Sequence, residues 1–260
     1  MLDIATIKKT GEALSACLRE TRTMPPLSVQ FPGLTIDDAY KISREFLFHR
    51  TTSGEKVVGK KIGVTSPAVQ EMLGVYQPDF GFMTDAMWQR NGIVDTTTLI
   101  APRAEAEIAF RLKDSLSGPG VTPEDVLRAT ESVIACFEIV DSRIENWDIK
   151  ITDTVADNAS CGVFVLSEEE VSPKGLDLAA LKVVVEKNGE FLSEGLGSAV
   201  QGAPENAVAW LANTLGEYGI PLHGGEIVLS GSLVPLAPAS TGDHFTMNID
   251  GLGSAEVRFR

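Results

Sequence analysis

The stretch Pro102-Arg103-Ala104-Glu105-Ala106-Glu107-Ile108-Ala109-Phe110 constrains the chain more than any other. It reads as a β-strand, and side chains two apart on a strand share a face. Glu105 and Glu107 therefore point the same way, while Ala104, Ala106, Ile108 and Phe110 point the other way into a core. Two carboxylates side by side repel each other unless one is protonated or a cation sits between them. A hard divalent cation such as Mg²⁺ answers this, because it takes oxygen ligands. A third acid, Glu138, lies within the apolar run Val133-Ile134-Ala135-Cys136-Phe137-Glu138-Ile139-Val140. A carboxylate in so apolar a strand needs a partner. Two readings stand at this point: ordinary half-exposed strands with solvated acids, or a cation site.

Charge narrows the partners. The 260 residues carry a formal net charge of -14, which disfavours nucleic acid and anionic membranes. An acidic protein that takes an anionic substrate must reverse its field locally, with a metal or with placed lysine and arginine. Cys17, Cys136 and Cys161 are odd in number and widely spaced, and they match neither a zinc pattern nor a disulfide framework. They read as buried reduced thiols of a cytoplasmic protein. No secretory signal and no apolar run long enough to span a bilayer is evident.

The N-terminal part reads as a helical layer over residues 1–55. Ile4, Ile7, Leu14 and Leu18 have helical spacing up to the stop at Pro25-Pro26, and Thr35 caps a second helix running to about His49. Residues 56–260 read as a β-rich catalytic domain. It opens on Lys56-Val57-Val58-Gly59-Lys60-Lys61-Ile62-Gly63, where the glycines suggest close backbone approach and the two lysines should face opposite ways. Ser66-Pro67 starts a short helix, and residues 74–82 are rich in turn formers and predict a loop. Asp79 in that loop is either a turn former or a partly desolvated acid/base. Thr122-Pro123-Glu124-Asp125 opens a helix, Asn188-Gly189 predicts a hairpin, and residues 204–218 predict an amphipathic helix. The small polar stretch 152–162 predicts either a surface loop or a site wall. The strand 226–233 ends in small polar residues, with Ser232 among them. The fold class expected is α+β, with a mixed-sheet barrel or sandwich behind the helical layer.

Six segments in order resemble one family: 61–66 (Lys-Ile-Gly-Val-Thr-Ser), 77–81 (Gln-Pro-Asp-Phe-Gly), 102–110, 137–143 (Phe-Glu-Ile-Val-Asp-Ser-Arg), 153–162 (Asp-Thr-Val-Ala-Asp-Asn-Ala-Ser-Cys-Gly) and 229–233 (Leu-Ser-Gly-Ser-Leu). This is the 2-hydroxypenta-2,4-dienoate hydratase (2-oxopent-4-enoate hydratase) family of meta-cleavage aromatic degradation, within the fumarylacetoacetate hydrolase superfamily. The resemblance implies that superfamily's mixed β-sheet barrel or roll. It implies Mg²⁺ or Mn²⁺ held by Glu105, Glu107 and Glu138, with Lys61 handling the enolate or carboxylate. Asp79 would be the acid/base for water addition, and Asn158, Ser160 and, more weakly, Ser232 would bind substrate. The expected substrate is a small anionic 2-hydroxydienoate, and the expected product is 4-hydroxy-2-oxopentanoate. A homo-oligomer, a pentamer or decamer, and a complex with 4-oxalocrotonate decarboxylase are further implications. That decarboxylase activity is the main rival, and Asp79 favours the hydratase because decarboxylation does not activate water. A C–C bond hydrolase would want a histidine near the N-terminal side to activate water, and His49, His223 and His244 form no such motif.

Overall fold

The computed structural model describes the backbone of residues 1–260 and every side chain except that of Leu73. Helices α1 (Ile4–Arg19), α2 (Leu27–Gln30) and α3 (Ile36–Thr52) come first. Strand β1 (Val57–Gly63), helix α4 (Pro67–Leu73), β2 (Asp79–Thr84) and β3 (Ile93–Val94) follow. Then come β4 (Arg103–Leu112), α5 (Pro123–Ala129), β5 (Thr130–Val140), α6 (Ile151–Ala156) and β6 (Cys161–Leu166). The C-terminal third holds β7 (Lys182–Lys187), β8 (Glu190–Leu196), α7 (Pro204–Glu217), β9 (Ile227–Ser232), β10 (Ala237–Pro238), β11 (His244–Ile249) and β12 (Gly253–Phe259).

Local chemistry sets most of these boundaries. Asp3, Thr35, Ser66 and Thr122 each accept a hydrogen bond from a first-turn backbone N–H of their helix, which is how an N-cap satisfies an orphan donor. Pro67 and Pro123 occupy the first helical position, where no N–H is needed. Asn188 and Gly189 both take left-handed backbone angles and turn β7 into β8.

Two mixed sheets form the body. One has the order β2-β1-β9-β4-β5-β6, with β10 added beside β4, and the other runs β3-β12-β11-β7-β8. The β1–β9 and β3–β12 pairs are parallel and the rest antiparallel. Strand β12 packs against β5, and Phe137 meets Phe245 edge to face across the gap. The main core joins both sheets to the helices: Leu14, Ile42 and Phe46 belong to the same buried cluster as Ile108, Phe110, Val183 and Phe245. Tyr40 of α3 stacks on Phe80 of β2, with ring centroids 4.2 Å apart.

The larger sheet is buried on both faces, which is what its near-continuous apolar strands require. One face carries Ala104, Ala106, Ile108 and Phe110 into the main core. The opposite face carries a smaller core of Met83, Ala109, Ile134, Cys136, Phe164 and Leu229. Glu105 and Glu107 belong to this second face, so the reading of them as solvated acids does not hold: both are buried.

Two local expectations are corrected. The turn-rich composition of 74–82 predicts a loop, yet Asp79–Thr84 is a strand, paired antiparallel with β1 so that Gly63 faces Asp79 and Lys61 faces Gly81. Long-range pairing outweighs local turn propensity here. Residues 152–162 are no surface loop either. They run through α6 and a tight turn at Asn158–Ser160 into β6, and are buried from Asp153 onward.

Candidate metal and acid/base centre

Strand register assembles the acids. Glu105 of β4 lies directly opposite Glu138 of β5, and Glu107 lies opposite Cys136 on one side and Ser232 of β9 on the other. Opposed residues share a sheet face. One carboxylate oxygen from each of Glu105, Glu107 and Glu138 can be chosen so that all three lie within 4.8 Å of one another. Glu107 and Glu138 are wholly buried and Glu105 is 5% exposed. Glu107 Oε2 accepts a hydrogen bond from the Gly231 N–H at 2.7 Å. Glu107 Oε1 and Glu138 Oε2 have no hydrogen-bond partner among the described residues. Buried, unpartnered anionic oxygens converging on one point fit a hard cation, and carboxylate-only donors suit Mg²⁺ or Mn²⁺ better than a soft metal.

The electrostatics agree. Burial, and then Glu138, push the Glu105 carboxyl up to about 8. Glu107 is raised well above the usual carboxylate range by burial and by its two acidic neighbours. Glu138 is also raised, because burial outweighs the help of Lys61. Without a cation, burial and mutual repulsion disfavour three charged carboxylates here, and a bound metal would relieve both.

Lys61 brings an ammonium into contact with the cluster, its Nζ 3.2 Å from Glu138 Oε1. Burial opposes its charge, but Glu138 and Asp79 outweigh that, and the ammonium holds its proton above the ordinary lysine range. Lys60 turns to the opposite face, as strand alternation predicts, and binds Glu226 with both carboxylate oxygens within 2.6 Å.

Asp79 reaches the same place from β2. Its Oδ2 accepts a hydrogen bond from Thr154 Oγ1 at 2.9 Å, and its Oδ1 is buried without a partner. Burial raises its carboxyl above the usual range, and Lys61 and the Thr154 hydroxyl offset part of that rise. Gly63 makes the approach possible: a Cβ there would stand 2.3 Å from Asp79 Oδ1 and 3.3 Å from Lys61 Nζ. Lys61, Asp79, Glu105, Thr154 and Ser160 form the polar wall of one cleft. Val69, Val140, Trp147, Ile149 and Leu236 form its apolar wall.

The turn that delivers Ser160 is unusual. Asn158, Ala159 and Ser160 all take left-handed angles, with φ of 55°, 53° and 51°. Non-glycine residues rarely adopt that region, and such strain persists only when the surroundings fix it. Here a buried ion pair fixes it. Arg143 Nε donates to Asp157 Oδ1 at 2.6 Å, and the same guanidinium donates to the backbone carbonyls of Asp157 and Cys161. Sequence reading singled out neither Arg143 nor Thr154. The dense polar run 152–162 was the available signal for Thr154, and a lone arginine after an apolar strand was the only one for Arg143.

Two expected substrate ligands have their side chains engaged elsewhere. The Asn158 amide accepts from Phe82 N–H at 2.8 Å and donates to the Phe82 carbonyl at 2.9 Å, which clamps the turn to β2. Ser232 Oγ donates to the Val234 carbonyl at 2.7 Å, and the residue does not line the cleft. Ser160 remains on the polar wall, its Oγ 3.5 Å from Thr154 Oγ1.

Residues 84–260 match the model of the fumarylacetoacetate (FAA) hydrolase C-terminal family. The chain is 57% identical over 262 residues to a 2-hydroxyhexa-2,4-dienoate hydratase of Comamonas testosteroni, covering 100% of this chain and 99% of that one. It is 55% identical over 221 residues to a 2-hydroxypent-2,4-dienoate hydratase of Pseudomonas putida, covering 84% and 100%. Among solved structures, 4-oxalocrotonate decarboxylase from Pseudomonas putida G7, complexed with magnesium and adipate, superposes with a TM-score of 0.96 at 36% identity, covering 100% of this chain and 99% of that one. The chain belongs to the fumarylacetoacetate hydrolase family and, within it, to the 2-hydroxydienoate hydratase group.

Proposed function

We propose that the protein is a hydro-lyase that adds water to 2-hydroxypenta-2,4-dienoate, or a close homologue, to give the 4-hydroxy-2-oxo acid. The observation that carries this reading is a three-carboxylate cluster that reaches, through Glu105, the cleft lined by an acid/base carboxyl, Asp79, whose Oδ1 has no partner among the described residues. Relatives at 55–57% identity, matched over 84–100% of this chain, carry hydratase names. Glu105, Glu107 and Glu138 would hold Mg²⁺ or Mn²⁺, which supplies Lewis acidity at the substrate's carboxylate and 2-oxygen.

The chain's own groups do the rest. The Lys61 ammonium balances the charge that develops on the 2-oxygen as the dienol becomes a ketone and C5 takes a proton. That step leaves a double bond between C3 and C4, conjugated with the 2-oxo group. Asp79 then takes a proton from water as the oxygen bonds to C4, and a proton is delivered to C3. Thr154 holds the Asp79 carboxylate by one oxygen and leaves the other for water. Ser160 provides a hydroxyl on the same wall to orient the substrate. The decarboxylase alternative shares the cation site and the lysine, and it has no use for the free Asp79 oxygen.

Asp79→Asn separates the two halves. Ketonisation of the dienol is expected to continue while hydration falls by about 10²–10⁴-fold, the usual worth of a general base. Rapid-mixing spectra would then show the conjugated 2-oxo-3-enoate accumulating. An unchanged hydration rate would remove Asp79 from the mechanism. Assembly into pentamers or decamers and pairing with a decarboxylase subunit are part of the same proposal, supported by kinship alone.

A further inference from the structure

The apolar wall of the cleft is a continuous surface. Val69, Val140 and Leu236 pack on one another, with Trp147 against them, as a small core separate from the two larger ones. Val140 lies two residues beyond Glu138 on β5 and on the same face, about 7 Å along the strand. That is the reach of a short acyl chain whose head sits at the carboxylate cluster. Lys61 is the only cation lining the cleft among the described residues, and it already stands against Glu138. Arg103, opposite Val140 in register, lies over the Trp147 ring at 4.4 Å and is not part of the lining.

We propose that Val69, Val140 and Leu236, closed off by Trp147, are the specificity-determining tail site and restrict the protein to monocarboxylate 2-oxo or 2-hydroxydienoate substrates with a short alkyl end. The proposal rests on the hydratase reading for the orientation of the substrate head. A second carboxylate at the tail would lose its hydration against valine, leucine and indole with no partner to replace it. This contrasts with the structurally similar decarboxylase, which was complexed with adipate, a dicarboxylate. The space between the two walls is about 20 Å³, room for a water but not for a six-carbon acid. Binding therefore has to displace part of the wall. A tail that packs against the displaced side chains regains their contacts, and a charged tail does not.

The test uses unreactive 2-oxo acids, which cannot be hydrated, titrated calorimetrically into the Mg²⁺-loaded protein. The matched pair is 2-oxohexanoate and 2-oxoadipate, equal in carbon number and different only in the terminal carboxylate. 2-Oxohexanoate is expected to bind at least about tenfold more tightly. Leu236→Arg is expected to erase or reverse that preference. Leu236→Ala, which only removes volume, is expected to raise the affinity for 2-oxoheptanoate relative to 2-oxopentanoate by about tenfold, the scale of one or two methylenes in a pocket. Equal or tighter binding of 2-oxoadipate by the unaltered protein would overturn the tail site, as would an unchanged chain-length ratio in Leu236→Ala. Hydration of dienoates is scored separately. Selectivity without hydration would uphold the tail site and sink the hydratase reading, and hydration without selectivity would do the reverse.

Discussion

Asp79 depends on its neighbours more than any other residue of the cleft. It is held by one hydroxyl, crowded by a glycine that leaves it just enough room, and raised by burial above the ordinary carboxylate range. Thr154 lowers that rise, so Thr154→Val should push the Asp79 carboxyl higher still. A base must be deprotonated to act, so the acidic limb of the hydration pH profile should move to higher pH in this variant. Losing a hydrogen bond to a charged group costs about 1.5–3 kcal/mol, which corresponds to roughly ten- to hundredfold in kcat if the bond persists in the transition state. Metal affinity should stay as it was, because Thr154 touches none of the three glutamates. An unshifted limb in Thr154→Val would mean that some other group titrates in the reaction.

Among elements, the tight turn after α6 is the one most plainly held by something outside itself. Three consecutive left-handed residues have no local reason to persist, and the buried Arg143–Asp157 pair pins both ends of the turn. Removing one partner of such a pair strands a buried charge and costs about 3–5 kcal/mol. Asp157→Ala should therefore lower unfolding stability by that amount in urea titration, and it should disturb Ser160 and the Asn158 clamp before it disturbs the β4–β5 pairing. A loss below about 1 kcal/mol would mean that the turn is held by other contacts.

This element also shows where sequence reading stops. The Glu105/Glu107 face, the Lys60/Lys61 alternation, the Thr35, Ser66 and Thr122 caps and the Asn188-Gly189 hairpin were legible, because each rests on spacing within a few residues. Strand β2 was not. Its residues are flanked by Gly74 and Pro78 and look like a turn, and only pairing with β1 makes them a strand. The engagement of Asn158 with Phe82, 76 residues away, and of Arg143 with Asp157 depends on tertiary placement that no local pattern carries. Composition showed that 152–162 was rich in hydrogen-bonding groups. Which of them faced the cleft, Thr154 and Ser160, and which held the backbone, Asn158 and Asp157, was set by the fold.

For the molecule as a whole, the buried carboxylates link stability to pH and to metal. A carboxyl whose folded pKa is raised keeps its proton in the native state while the unfolded chain has released it. The native state is therefore favoured below the unfolded value, near 4.5, and that advantage is lost as pH rises toward the folded value, about 8 for Glu105, with Glu107 raised in the same direction. Metal-free protein should accordingly lose thermal stability between about pH 4.5 and pH 8. Mg²⁺ or Mn²⁺ binds the carboxylates and should restore it, so the rise in Tm on adding metal should grow with pH over that window. At metal concentrations near 100 times Kd the stabilisation should be about 2.7 kcal/mol. A metal-induced rise that is the same at pH 5 and pH 8 would place the ion somewhere other than the Glu105–Glu107–Glu138 cluster. No helix among the described residues is long and apolar enough to cross a membrane.

The most direct test of the hydratase mechanism is a single assay. Freshly generated 2-hydroxypenta-2,4-dienoate is mixed with the protein and Mg²⁺ or Mn²⁺, then with a chelator in place of the metal, while the dienol absorbance is followed and the product is weighed by mass spectrometry. Metal-dependent loss of the dienol with formation of a species one water heavier is the expected result. A dienol left untouched, with 2-oxohex-3-enedioate losing CO₂ under the same conditions, would contradict it and assign the cleft to decarboxylation.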